Sequence, residues 1–328
     1  MCADATAARP RRQSDLLRSA VVMVVLALTS TAVDAACLGS EVPLDAPAAL
    51  IFSGGGAKGA WEAGVAVALI ERGVRVRVVA GSSAGALNAV MVADGRLDRL
   101  ESLWRTITRE QVYSVRSSVF FAGLLPGWLS ALTLSHATSL LDPAPLRDLL
   151  AVTLDLGRVR ASPTKLVVVT TDLGRHEPRL FDNATITREA LAATTAVPGL
   201  FPPVPVDGAT LVDGGLVARA PILEALASGT VVDRAIVTMS YAAAERAHPP
   251  TRLREVLEDA FETLMVHQVR RDAELARLRH RIDVQVVEPS TPLLLRPLDF
   301  DPTSLGEAFD RGRADGARCV ATWRSPRR

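Results

Sequence analysis

Val76-Arg77-Val78-Val79-Ala80-Gly81-Ser82-Ser83-Ala84-Gly85-Ala86-Leu87-Asn88-Ala89-Val90 is the stretch whose reading decides the fold. Its first half is rich in β-branched residues and reads as a strand. Its second half, from Ala84, is built of helix formers. Between them lies Gly81-x-Ser83-x-Gly85, a G-x-S-x-G pattern. A sharp strand-to-helix turn brings backbone close on both sides of the serine, and glycine two places before and after leaves room for it. The following helix points its N-terminus at the hydroxyl, where its free N–H groups favour an anion. The pattern alone also fits an ordinary Gly/Ser turn of an α/β protein.

Upstream, the apolar run Ala49-Leu50-Ile51-Phe52-Ser53 leads into Gly54-Gly55-Gly56-Ala57-Lys58-Gly59, and a helix pattern follows with Trp61, Val65, Leu69 and Ile70. Consecutive glycines after a strand let several backbone N–H groups point the same way, which suits an oxyanion or a phosphate. Gly54, Gly56 and Gly59 also satisfy the dinucleotide fingerprint G-x-G-x-x-G, so a nucleotide-binding protein is one alternative. That fingerprint requires an acid after the next strand. Here the corresponding stretch is Val74-Arg75-Val76-Arg77-Val78-Val79, which has none, so an oxyanion hole fits better. Downstream, Leu211-Val212-Asp213-Gly214-Gly215 places an acid between an apolar strand and two glycines, either as a site residue or as a plain turn.

These three motifs, in this order, resemble the patatin-like phospholipase family. The resemblance extends to Leu140–Leu146, Thr170–Leu173 and Ala196–Pro203, and covers roughly residues 48–285. It implies a three-layer α/β/α sandwich with a mostly parallel central sheet. It implies a lipid acyl hydrolase with a Ser–Asp dyad, Ser83 as nucleophile and Asp213 as its direct base. It further implies an oxyanion hole from the backbone of Gly54, Gly55, Gly56 and Ala57. Lys58 matches the basic position of the loop, with a structural or a phosphate-contacting role; Gly59, Gly81, Gly85, Gly214 and Gly215 support the motifs. No metal or cofactor is implied. The substrate is a phospholipid or another lipid ester, and contact with a membrane surface is expected. A non-catalytic lipid-binding or effector protein on the same fold is a further alternative. One departure stands out: Ala218-Arg219-Ala220-Pro221 occupies the place of the family's Asn-containing step, which bears on the support of Asp213 and on substrate preference.

The five histidines, His136, His176, His248, His267 and His280, agree with a dyad, since none sits in a glycine-flanked loop after a strand where a triad base is expected. Net charge is +1 and aromatic content 4%, so neither a basic surface nor a base-stacking platform for nucleic acid is indicated.

Arg9, Arg11, Arg12 and Arg18 precede the apolar run Ala20–Leu28, which is too short to span a bilayer, and small residues follow at Ala35 and Ala36. Residues 1–36 therefore read as a secretory signal peptide, 37–47 as a linker and 48–328 as the catalytic domain, exported to a periplasmic or external space with no further span. Removing the leader leaves Cys37 and Cys319, which form a disulfide in an oxidising compartment. The competing reading is a lipid anchor on Cys37. Strands are expected at 49–53, 76–80, 165–171, 210–213, 231–239 and 282–287. Helices are expected at 58–72, 84–93, 97–106, 143–150, 187–195, 220–228 and 252–280. Residues 114–139 read as a cap over the site or as an extra core helix pair, and 289–303 as an irregular surface segment.

Overall fold

In the computed structural model the described residues are 37, 40–117, 119, 137–241 and 249–324. Most of the expected cap segment, the leader, His136 and His248 lie outside them. In chain order the strands are β1 (Ser40–Pro43), β2 (Pro47–Phe52), β3 (Arg75–Gly81), β4 (Ser114–Val115), β5 (Leu141–Asp142), β6 (Lys165–Asp172), β7 (Glu177–Phe181), β8 (Val204–Val206), β9 (Ala209–Asp213), β10 (Arg234–Thr238), β11 (Asp283–Val287) and β12 (Trp323–Arg324). The helices are α1 (Gly59–Glu71), α2 (Ala84–Asp94), α3 (Leu97–Thr106), α4 (Arg109–Val112), α5 (Ala144–Thr153), α6 (Leu156–Ala161), α7 (Arg188–Thr194), α8 (Ile222–Leu226), α9 (Leu253–His280) and α10 (Pro302–Thr322).

The main sheet runs β11-β10-β2-β3-β6-β9-β8, with β7 also on β6. From β11 to β6 the strands are parallel; β7 and β9 run antiparallel to β6, and β8 pairs antiparallel with β9. Parallel strands covered on both faces are apolar throughout, and β2 is buried from Ala48 to Phe52. Its side chains alternate between two cores. Ala48, Leu50 and Phe52 join the layer with α1, α2, α3 and α10. Ala49 and Ile51 join the layer with α8 and α9. This is the mostly parallel sheet with helices on both faces that the resemblance implies.

Register carries the site. One edge of β6 holds β7, with Val168 opposite Phe181. The other edge pairs first with β3, ending at Gly81 opposite Val168, and then with β9, where Asp213 lies opposite Thr170. The two strands thus approach end to end on one edge, and their last residues face positions two apart on β6.

β4, β5, β7, β8, α4 and α6 are additional to the expected elements, and the two ends of the domain differ from expectation in three further segments. Residues 37–47 are more than a linker: β1 pairs in parallel with β12, and the Ser40 hydroxyl meets Asp283. Of the expected irregular segment 289–303, residues 289–301 are irregular and the last two open α10; the segment is not superficial, because Leu293 and Leu295 are buried and the Pro297 carbonyl accepts from Ala57 N–H at 2.9 Å. The 21-residue α10, which is not among the expected helices, packs against α1, and the Trp61 indole N–H donates to Asp315 at 2.8 Å. Cys319 on α10 is joined to Cys37 by a disulfide with Cα atoms 5.3 Å apart. No helix among the described residues is long and apolar enough to cross a membrane.

Candidate active site

Ser83 stands between β3 and α2 with φ 54° and ψ −134°, a conformation rare for a residue with a side chain. The turn exists because its flanks lack Cβ atoms: one at Gly81 would lie 2.3 Å from the Gly85 carbonyl oxygen. Ser83 N–H donates to Thr194 Oγ1, whose hydroxyl donates to the Val169 carbonyl of β6, so α7 fastens the turn to the sheet. The neighbouring Ser82 hydroxyl is already engaged, donating to the Arg219 carbonyl at 2.6 Å.

Asp213 arrives from the other side at the end of β9. Thr171 Oγ donates to its carbonyl at 2.8 Å and Gly215 N–H to its Oδ1 at 2.7 Å. Oδ2 is buried and makes no hydrogen bond among the described residues. Burial pushes this carboxyl above the usual range; the Gly215 N–H, the charge of Arg219 and the Ser83 hydroxyl oppose that shift. A Cβ at Gly214 would lie 3.1 Å from Ser82 Cβ, so the Asp213 turn and the serine turn are in contact.

Gly54, Gly55 and Gly56 all take positive φ, at 72°, 125° and 61°. A Cβ at Gly54 would lie 3.4 Å from Ser83 Cβ, which puts the loop against the serine. Of the four N–H groups expected to line an oxyanion hole, two are engaged elsewhere. Gly54 N–H donates to Glu62 Oε2 at 2.9 Å, and Ala57 N–H to Pro297. The N–H groups of Gly55 and Gly56 make no such bond among the described residues, so of the four these two are the candidates left.

Glu62 was not anticipated. It is fully buried on α1 and accepts from Ser53 N–H, Ser53 Oγ, Gly54 N–H and Thr238 Oγ1. Burial raises it to about 8, against those bonds and the Arg219 charge. The available signal was an acid inside the otherwise apolar run from Ala60 to Leu69. Lys58 is buried as well, with Nζ 3.9 Å from the Tyr241 ring centroid and 3.8 Å from Glu262. Among the described residues no histidine bonds to Ser83 or Asp213, and His176 sits in the exposed β6–β7 turn. No cluster that could hold a metal occurs among them either. An open cleft of about 680 Å³, lined in part by Arg96, Arg99, Arg160 and Arg188, contains none of the site residues.

Comparison with known proteins places the chain among relatives. Over 174 residues the chain is 31% identical to an uncharacterized NTE family protein of Mycobacterium tuberculosis, a match covering 53% of this chain and 44% of the relative. It thus spans less than half the length of that relative. An uncharacterized Bacillus subtilis protein, YqhO, is 27% identical over 241 residues, covering 65% of this chain and 79% of its own. Among solved structures, VipD from Legionella pneumophila aligns with a TM-score of 0.42 and 16% identity, over 87% of this chain and 68% of that one. The family profile described as "Patatin-like phospholipase" matches residues 50–226, a span running from β2 through both candidate catalytic turns to the end of α8. The chain belongs to the patatin-like phospholipase family, whose function is lipid hydrolysis.

Proposed function

We propose that this chain is a serine acyl hydrolase that cleaves ester bonds of phospholipids or related lipids through a Ser83–Asp213 dyad and an acyl-enzyme intermediate. The observation that carries the reading is the buried, unpartnered Oδ2 of Asp213 on a turn in contact with the strained serine turn. Asp213 takes the Ser83 proton as Oγ attacks the ester carbon, and the carbonyl electron pair moves onto oxygen. The free N–H groups of Gly55 and Gly56 receive that oxyanion, aided by the N-terminus of α2. The alcohol leaves with the proton; water, deprotonated by Asp213, then frees the acid. Leu216, Phe261, Leu264 and Leu294 are exposed on segments that also carry or contact site residues, which suits a lipid surface.

Asp213 must be ionised to act. Its raised carboxyl places the acid limb of kcat/KM above the ordinary carboxylate range near pH 4. Ser83→Ala should lower turnover of an ester and phospholipid panel by about a thousandfold or more and abolish fluorophosphonate labelling. A native protein that takes no label but binds lipid vesicles would favour the non-catalytic alternative. The Cys37–Cys319 bridge accords with an exported protein. Intact mass after alkylation without reductant should show neither cysteine modified; diacylglycerol on Cys37 would replace the bridge with an anchor.

A further inference from the structure

Arg219 is 7% exposed and lies between the two glycine-bearing loops of the site. Its backbone is fixed from both sides: its N–H donates to Gln268 of α9 at 3.2 Å, and its carbonyl accepts from Ser82 Oγ. Its guanidinium reaches across the site. A Cβ at Gly55 would lie 3.2 Å from Nη2, and one at Gly215 would lie 3.4 Å from Nη1 and 3.0 Å from Asp213 Oδ1. Nη2 donates to the Tyr241 hydroxyl at 3.3 Å, and Nε is buried without a partner. No carboxylate among the described residues lies within ion-pair distance of it, although guanidinium is always charged. Burying a cation without such a partner is costly, so a negative charge belonging to the site itself is the natural counterpart.

We propose that Arg219 is a positioning residue for the reaction, a fixed positive charge that serves both the base and the oxyanion. The inference rests on the dyad reading above. In acylation the Ser83 proton moves to Asp213, the Oγ–carbon bond forms, and the carbonyl pair settles on oxygen. Negative charge therefore leaves the Gly215 side of the guanidinium and appears on the Gly55 side. One cation between them favours the ionised base before the step and the oxyanion after it. The other ionisable groups around it are Glu62 of α1, Lys58 of the glycine loop, Tyr241 after β10 and Glu262 of α9. The charge of Arg219 pulls both Asp213 and Glu62 down against burial, in keeping with its place between them.

The test is the pH profile of kcat and KM for wild type, Arg219→Gln and Arg219→Lys on an uncharged short-chain ester, with thermal unfolding as the control for folding. For Arg219→Gln, kcat should fall by about 10- to 100-fold with KM little changed. Its acid limb should rise by about one pH unit. Arg219→Lys should recover part of both. A folded Arg219→Gln with wild-type kcat and acid limb overturns the proposal. So does a defect confined to KM for anionic phospholipids, which would make Arg219 a headgroup contact. If the Gln variant does not fold, Arg219→Lys decides: its ammonium cannot span both loops, and a wild-type profile would overturn the idea. Failure of the dyad itself is recognised separately, by activity surviving in Ser83→Ala.

Discussion

Two turns stand side by side at the carboxyl ends of β2 and β3, and they are held in opposite ways. The serine turn is closed by the tight fit of its glycines, Gly81 against Gly85 and Gly85 against the end of β2, where a Cβ would lie 2.8 Å from Phe52 O and from Gly54 N, with Thr194 of α7 holding Ser83 N–H. The glycine loop has three successive residues at positive φ and takes much of its support from elsewhere. Glu62 of α1 holds Gly54 N–H, the Ser240 hydroxyl after β10 donates to Gly54 O at 2.7 Å, and Pro297 takes Ala57 N–H. One turn is a local steric solution. The other is a fragment of backbone kept in place by the helix that follows it and by two distant parts of the chain.

The largest expected effect breaks the first turn. In Gly85→Ala the new methyl would press on strand backbone that cannot yield, and the loss should exceed about 4 kcal/mol, seen as loss of soluble, cooperatively unfolding protein. Gly306→Ala on α10, where the nearest atom to a Cβ is the flexible Arg105 Nη1 at 3.6 Å, is the control. It should be neutral or stabilising by up to about 1 kcal/mol. Equal destabilisation by both would refute the steric account of the turn.

Gly56→Ala should act differently. Its Cβ would lie 2.0 Å from the Pro297 carbonyl oxygen, a backbone atom, so the loop and that segment must move apart, and the positive φ adds about 1 kcal/mol of strain. Such a shift displaces the N–H donors of Gly55 and Gly56. The variant should therefore show a clearly lowered unfolding midpoint, and the fraction that folds should lose at least about tenfold in kcat. A folded Gly56→Ala with full kcat would show that the loop's exact placement does not matter to turnover.

The same contrast explains what could be read in advance. The serine turn was legible because its determinants lie within the five residues from Gly81 to Gly85. The six core strands were legible because each is a short apolar run. The glycine loop was recognisable as a donor site, but which of its N–H groups stay free was not, since Glu62 on the next helix and Pro297 across the fold decide it. Arg219 was visible as an odd residue; its reach to Gly55 depends on the packing of the Asp213 turn. The long α10 escaped because Gly306, Gly312 and Gly316 look like breakers in sequence. The structure uses Gly312 for close approach to α1, where a Cβ would lie 2.0 Å from the Trp61 carbonyl. The antiparallel β7 and β8 are short and partly exposed, so they lack the apolar signature of the central strands.

The smallest expected effect concerns the remote support of the loop and is a change of slope rather than a loss. Burial lifts Glu62 from an ordinary 4.5 to about 8 in the folded chain. Between those values the native state keeps a proton that the unfolded state has released. Stability rises with pH only where the unfolded state binds more protons, so here it must fall. The Glu62 contribution is complete below about pH 4.5 and lost as pH rises through about 8. Glu62→Gln cannot titrate. It keeps an oxygen for the Ser53 and Thr238 hydroxyls but turns an amide donor toward Gly54 N–H. The unfolding midpoint followed from pH 5 to 9 should decline less steeply in the variant than in the native protein. Fluorophosphonate labelling of Ser83 should persist, more slowly, because the serine turn does not depend on Glu62. Identical slopes would mean that Glu62 is already ionised inside the fold. Complete loss of labelling in a folded variant would mean that the two turns are not independent, and the comparison between them would fail.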